Sequence, residues 1–78
     1  MPTLLVWHGY QFRFYSLDRP EPPHVHIAKD GNDAKVWLAD LEVGYNRGYN
    51  DREMQRLLEK IANHRDEWIG AWNDYFGV

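Results

Sequence analysis

The chain has no cysteine, so neither a disulfide framework nor a thiolate metal site can form. It has one serine, Ser16, and no Ser/His/Asp nucleophile arrangement stands out around it. No apolar run approaches the roughly 20 residues that a membrane-spanning helix needs. The opening Met1-Pro2-Thr3 lacks the basic stretch and apolar core of a secretory signal. A reduced, cytoplasmic setting is therefore the expectation. Positive charge is also scarce: nine Lys and Arg against twelve Asp and Glu leave a formal charge of −3. That argues against duplex DNA as a partner, because duplex binding rests on many cation–phosphate contacts. A glycine-rich phosphate loop is missing too, since Gly44 and Gly48 lack the strand–turn–helix setting and the Lys-Ser/Thr ending.

What the chain has in quantity is aromatic residues. Four Trp, five Tyr and three Phe are spread along 78 residues, too many for a disordered segment. The length is that of one domain, residues 1–78. A chain this short buries only about 60–65% of its unfolded surface. Its stability is expected to be on the order of a few kcal/mol.

The first part reads as strands, within about residues 3–45. Leu4 to Trp7 is a short apolar run, and His8-Gly9 is a turn. Tyr10, Phe12 and Phe14 then alternate with Gln11, Arg13 and Tyr15, which gives one buried and one wet face. Residues 17–23 hold three prolines and read as a loop, because proline cannot pair in a sheet interior. His24 to Ala28 is the next strand, with Val25 and Ile27 on one face and His24 and His26 on the other. Asp30 to Asp33 is a turn, and Ala34 to Leu38 a fourth strand. The spacing of Leu41, Val43 and Tyr45 hints at a fifth.

A helix over about residues 51–76 follows. Asn50 is a good N-cap, Glu53 completes a capping box, and Tyr49 with Met54 can form a hydrophobic staple. Met54, Leu58, Ile61, Trp68, Trp72 and Tyr75 keep three-four spacing, and Gly77 is a natural stop. Arg65 interrupts the apolar stripe, and its stem is expected to pack while its guanidinium reaches out. His64, between Ile61 and Trp68, reads as a half-exposed flank residue. The expected fold is therefore α+β: a small antiparallel sheet of four or five strands, with one long C-terminal amphipathic helix on one sheet face.

At 1.5 Å per residue this helix would be roughly 39 Å long. A domain of this size has a radius of gyration near 11–12 Å. The helix is thus expected to overhang the sheet, or to bend near Gly70. Exposed aromatics at its end, Trp68, Trp72, Tyr75 and Phe76, would then suit a homodimer or a small protein partner.

The polar sheet face collects Gln11, Arg13, His24, His26, Lys35 and Trp37. One reading is a solvated, exposed face, the ordinary arrangement for an antiparallel sheet. A second is acid–base chemistry on a phosphodiester, with His24 and His26 as base and acid, and Arg13 and Lys35 stabilising the developing charge. Trp37 or Tyr15 would then stack a base of an RNA substrate. A third is a zinc site with His24 and His26 as two ligands, completed by His8, Glu21 or Asp33. Arg13 and Lys35 nearby count against a bound cation.

The segment Glu21-Pro22-Pro23-His24-Val25-His26-Ile27, then Ala34 to Leu38, then His64 to Glu67 and Trp72, resembles the small bacterial family catalogued as domain of unknown function 4160. The resemblance runs from Gly9-Tyr10 to Trp72, with Trp37 and Trp68 departing from its usual smaller or polar residues. It implies a short component of a two-gene module of the toxin–antitoxin kind. His24, His26 and the prolines before them are carried over as a signature without an assigned role. Three functions follow as expectations: a protein-interaction component of such a module, a small ribonuclease-like toxin, or a metal-binding regulator.

Overall fold

The computed structural model describes residues 3–77. Five strands, β1 (Thr3–Trp7), β2 (Tyr10–Arg13), β3 (His24–Lys29), β4 (Asn32–Trp37) and β5 (Val43–Arg47), precede one helix, α1 (Asp51–Phe76). The strands form a single antiparallel sheet in chain order. Two of its hairpins close through two-residue turns of left-handed backbone. His8 and Gly9 have φ of 51° and 82°, and Asp30 and Gly31 have 52° and 82°. Such turns match the twist of the flanking strands, and His-Gly and Asp-Gly tolerate their positive φ.

The alternation read from the sequence holds. Phe12, Val25, Ile27 and Val36 lie fully buried on one sheet face, with Phe14 and Leu38 just past the strand ends. Against them α1 places Met54, Leu57, Ile61, Trp68 and Trp72. Phe12 meets Trp68 at 5.5 Å between ring centroids, and Phe14 meets Trp72 at 5.1 Å. Each large side chain so buried contributes roughly 1.5–3 kcal/mol, which offsets the small size of the core.

The helix begins as expected: Glu53 N–H donates to Asn50 Oδ1 at 2.8 Å, and Asn50 N–H to Glu53 Oε1 at 3.2 Å. It ends at Gly77, φ 72°, whose N–H donates to Asn73 O. It runs unbroken through Gly70, and the chain's radius of gyration is 11.5 Å.

The aromatic end of α1 departs from expectation. Trp68 and Trp72 are 1% and 3% exposed, because Phe12, Phe14 and His24 fill the space beneath them. They belong to this chain's own core rather than to a free surface. Tyr75 and Phe76 pack beside Phe14, and only Tyr75 remains substantially open. Arg65 differs in part: its Nε donates to Leu38 O at 2.7 Å and its Nη2 to Ala39 O at 2.8 Å. The guanidinium is part-exposed, as expected, and its Nη1 donates to the exposed Asp66 at 3.1 Å, but it also satisfies two carbonyls where β4 ends. His64 is half-buried as expected, stacked on Trp68 at 4.9 Å.

Candidate metal centre

Register places the second sheet face. Arg13 pairs with His26, His26 with Lys35, and Lys35 with Tyr45, so these four form one row across β2 to β5. His24 pairs with Trp37 in the next row of the same face. The histidines are not exposed, however: His24 is 0% and His26 5% accessible. Tyr15 lies on His26 at 4.2 Å between ring centroids, and Trp37 and Trp72 each lie 5.1 Å from His24. The chain after β2 also folds back over this face. Its turn Ser16–Asp18 is 3₁₀ helical, where a plain loop was expected, and it delivers Asp18 to both imidazoles.

Asp18 is the residue that the sequence reading did not single out. Its Oδ2 lies 3.1 Å from His24 Nε2 and 3.1 Å from His26 Nε2, and its Oδ1 lies 3.3 Å from the latter. Tyr15 N–H donates to Oδ2 at 2.9 Å. The three donor atoms sit within 4.8 Å of one another. The residues proposed to complete a zinc site are elsewhere engaged. Glu21 accepts from Lys35 Nζ at 2.6 Å, Asp33 accepts from Tyr45 Oη at 2.6 Å, and His8 lies in the β1–β2 turn, where its carbonyl accepts from Lys29.

Hydrogen bonding determines what the rings present to Asp18. His24 Nδ1 lies 2.8 Å from Pro22 O, which can only accept, so this nitrogen carries the proton. In a neutral ring Nε2 then holds a bare lone pair. His24 Nε2 is buried without a hydrogen-bond partner: Asp18 Oδ2 is 3.1 Å away but off the line of a hydrogen bond. His26 Nδ1 lies 3.2 Å from Tyr45 Oη, whose single proton goes to Asp33. Burial and that bond to Asp33 push the Tyr45 hydroxyl far above the usual tyrosine range, so it keeps its proton. His26 therefore stands between two acceptors as well.

Burial holds His26 below the usual histidine range, with the Asp18 carboxylate opposing it. Burial works to raise the Asp18 pKa, but the Tyr15 amide, the positive charge that His24 and His26 carry when protonated, and the hydrogen bond from His26 outweigh it and hold the carboxyl below its usual range. The centre is thus a carboxylate against two buried imidazole nitrogens, and His24 Nε2 and the Asp18 oxygens meet as acceptors wherever no proton lies between them. Such a cluster needs a positive charge, as protons or as a metal ion, to offset the repulsion.

The two 3.1 Å separations between Asp18 Oδ2 and the imidazole Nε2 atoms are close to those between ligands of one metal ion. With bonds of about 2.0–2.1 Å at tetrahedral angles, neighbouring ligand atoms stand roughly 3.3–3.4 Å apart. The outer contacts suit it as well: metal-bound histidines ordinarily donate their other N–H to a carbonyl or a hydrogen-bonded oxygen, as Pro22 O and Tyr45 Oη allow here. The objection from nearby cations weakens, because Lys35 is paired with Glu21. Arg13, the other, is half-buried with its Nε unpartnered.

The arrangement suits acid–base chemistry on a phosphodiester less well. A surface hollow of about 510 Å³ is bordered by Tyr15 and Asp33 but by none of Asp18, His24 and His26. No described helix is long and apolar enough to cross a membrane.

Comparison with known proteins returns one family. Its model, described as "Domain of unknown function (DUF4160)", matches residues 9–73. No curated protein and no solved structure matches the chain.

Proposed function

The chain belongs to this family of unknown function, and we propose that it acts as a metal-binding domain in which Asp18, His24 and His26 hold zinc or a similar first-row dication. One observation carries the reading: two buried imidazoles each place Nε2 3.1 Å from a single carboxylate oxygen, and each has its Nδ1 within reach of an outer oxygen. Two nitrogens and one oxygen are a donor set for zinc or iron(II), and too rich in nitrogen for calcium or magnesium. Three protein ligands leave a fourth position for water or a partner's donor atom.

Zinc titration against a chromophoric chelator tests this, with cobalt(II) absorption as a report on geometry. One equivalent is expected to bind, and Asp18→Ala, His24→Ala and His26→Ala each to weaken binding at least 100-fold. No binding at micromolar zinc would overturn the reading.

Partner binding is a second reading, favoured by the open edges of the sheet. Val6 on β1 is 62% exposed and Val43 on β5 is 40% exposed. An unpaired edge can take a strand from a small protein partner, as a two-gene, toxin–antitoxin-like module would require. Blocking either edge with a proline is expected to abolish capture of the neighbouring gene's product. Capture unchanged by both substitutions would refute it.

A further inference from the structure

Between Tyr15 and Pro23 the chain crosses the second sheet face as a strap. Of residues 16–22 only Asp18 is buried. Leu17, the strap's one aliphatic side chain, is 89% exposed, so no apolar packing holds the strap down. Its ends are anchored: Phe14 is fully buried, and Leu38 N–H donates to Pro23 O at 3.0 Å. Its middle is bonded to itself, Asp18 N–H to Tyr15 O and Glu21 N–H to Asp18 O, each at 3.0 Å. Two prolines, Pro20 and Pro22, stiffen it further. Besides Asp18, two ties hold it to the sheet: Pro22 O accepts from His24 Nδ1 at 2.8 Å, and Glu21 pairs with Lys35, an ion pair that holds weakly because its carboxylate is part-exposed. The strap is therefore a stiff knuckle whose one buried side chain, Asp18, faces two imidazoles.

We infer that a metal ion in the centre clasps this strap onto the sheet, so that metal occupancy decides whether residues 16–21 lie closed or lift away. The inference rests on the metal reading above. With the strap closed the ion has three ligands; with it lifted the ion keeps only His24 and His26. The closed state binds metal more tightly, and by linkage metal favours the closed state by the same factor. Lifting also uncovers both Nε2 atoms, which gives the ion a route into a site that is otherwise sealed.

Hydrogen exchange of the full chain, followed by mass spectrometry with saturating zinc and with chelator, reads this out. Zinc binding is measured in parallel on the same sample. The Asp18 and Glu21 amides are expected to slow on the order of 10-fold or more with zinc, while amides in the β3–β4 ladder change little. Asp18→Ala is expected to remove the slowing in the strap. Zinc bound with the strap's exchange unchanged would overturn the clasp and leave the metal reading standing. No zinc bound at all would overturn both.

Discussion

Replacing Asp18 with asparagine separates the two ways the centre can be balanced. The side chain keeps its size and one oxygen but exchanges the other for an amide N–H₂. If the oxygen stays where Oδ2 accepts from Tyr15 N–H, the new amide takes the place of Oδ1, 3.3 Å from His26 Nε2. Were that nitrogen a bare lone pair, with the ring's proton on Nδ1 towards Tyr45 Oη, the amide would donate to it and an acceptor–acceptor clash would become a hydrogen bond. The metal-free variant at pH 7.5 should then lose no more than about 1 kcal/mol. For a domain of this size that is a shift of roughly 4–8 °C in melting temperature or less. Were Nε2 instead protonated and donating to the carboxylate, the substitution would set donor against donor inside a buried site. That costs about 1–3 kcal/mol for each unmet group, more where a charge is stranded. Zinc affinity gives the second half of the test. Losing an outer hydrogen-bond partner already lowers metal affinity by roughly 10–100-fold, so losing a charged ligand should cost at least about 100-fold. Thermal unfolding with chelator, paired with zinc competition, measures both. A variant that melts more than about 15 °C lower, or one that binds zinc undiminished, would refute the reasoning.

Three further outcomes follow from the fold. Trp68→Ala removes a ring that is 1% exposed and meets Phe12 and His64, and should cost roughly 3–5 kcal/mol; urea titration should find it near the limit of folding. Arg65→Lys cannot reach both Leu38 O and Ala39 O with one ammonium in the geometry of the guanidinium, so it should lower the urea midpoint by the equivalent of about 1 kcal/mol. The Tyr10 hydroxyl, above all, holds the Glu53 carboxyl below its usual range, with Asn50 N–H helping. A carboxyl depressed in the fold contributes stability that is present above its unfolded pKa of about 4.3 and is lost as pH falls through the folded value. Melting curves from pH 7 to pH 3 should accordingly show Tyr10→Phe less acid-sensitive than the parent protein.

Much of the architecture was legible because it is written locally. Strict alternation at Phe12, Val25, Ile27 and Val36 marks the buried sheet face, and left-handed turns fall on His-Gly and Asp-Gly as their chemistry directs. Asn50 and Glu53 announce the helix start four residues before its first buried side chain, Met54. The fate of Trp68 and Trp72 was not legible. Helical spacing puts them on one stripe, but whether the sheet reaches far enough to cover them depends on Phe14 and on His24, both outside the helix. The partners of Arg65 were not legible for a related reason: the carbonyls it serves belong to a loop 26 or 27 residues away in sequence.

The centre was legible only by half, and the missing half shows how such sites are assembled. His24 and His26 announce themselves because a strand sends residues two apart to the same face. Asp18 has no periodicity to mark it, since it lies in a proline-rich stretch that reads as surface. Its one local sign is its place three residues after Tyr15, whose N–H it caps in a single 3₁₀ turn. The strand alone would present two imidazoles to water, where neutral rings cost nothing. The strap and the rings of Tyr15, Trp37 and Trp72 bury them together, and the strap lowers one carboxylate onto both. The chemistry of the centre and the closure of the strap therefore have one cause, and a residue that disturbs either should disturb both.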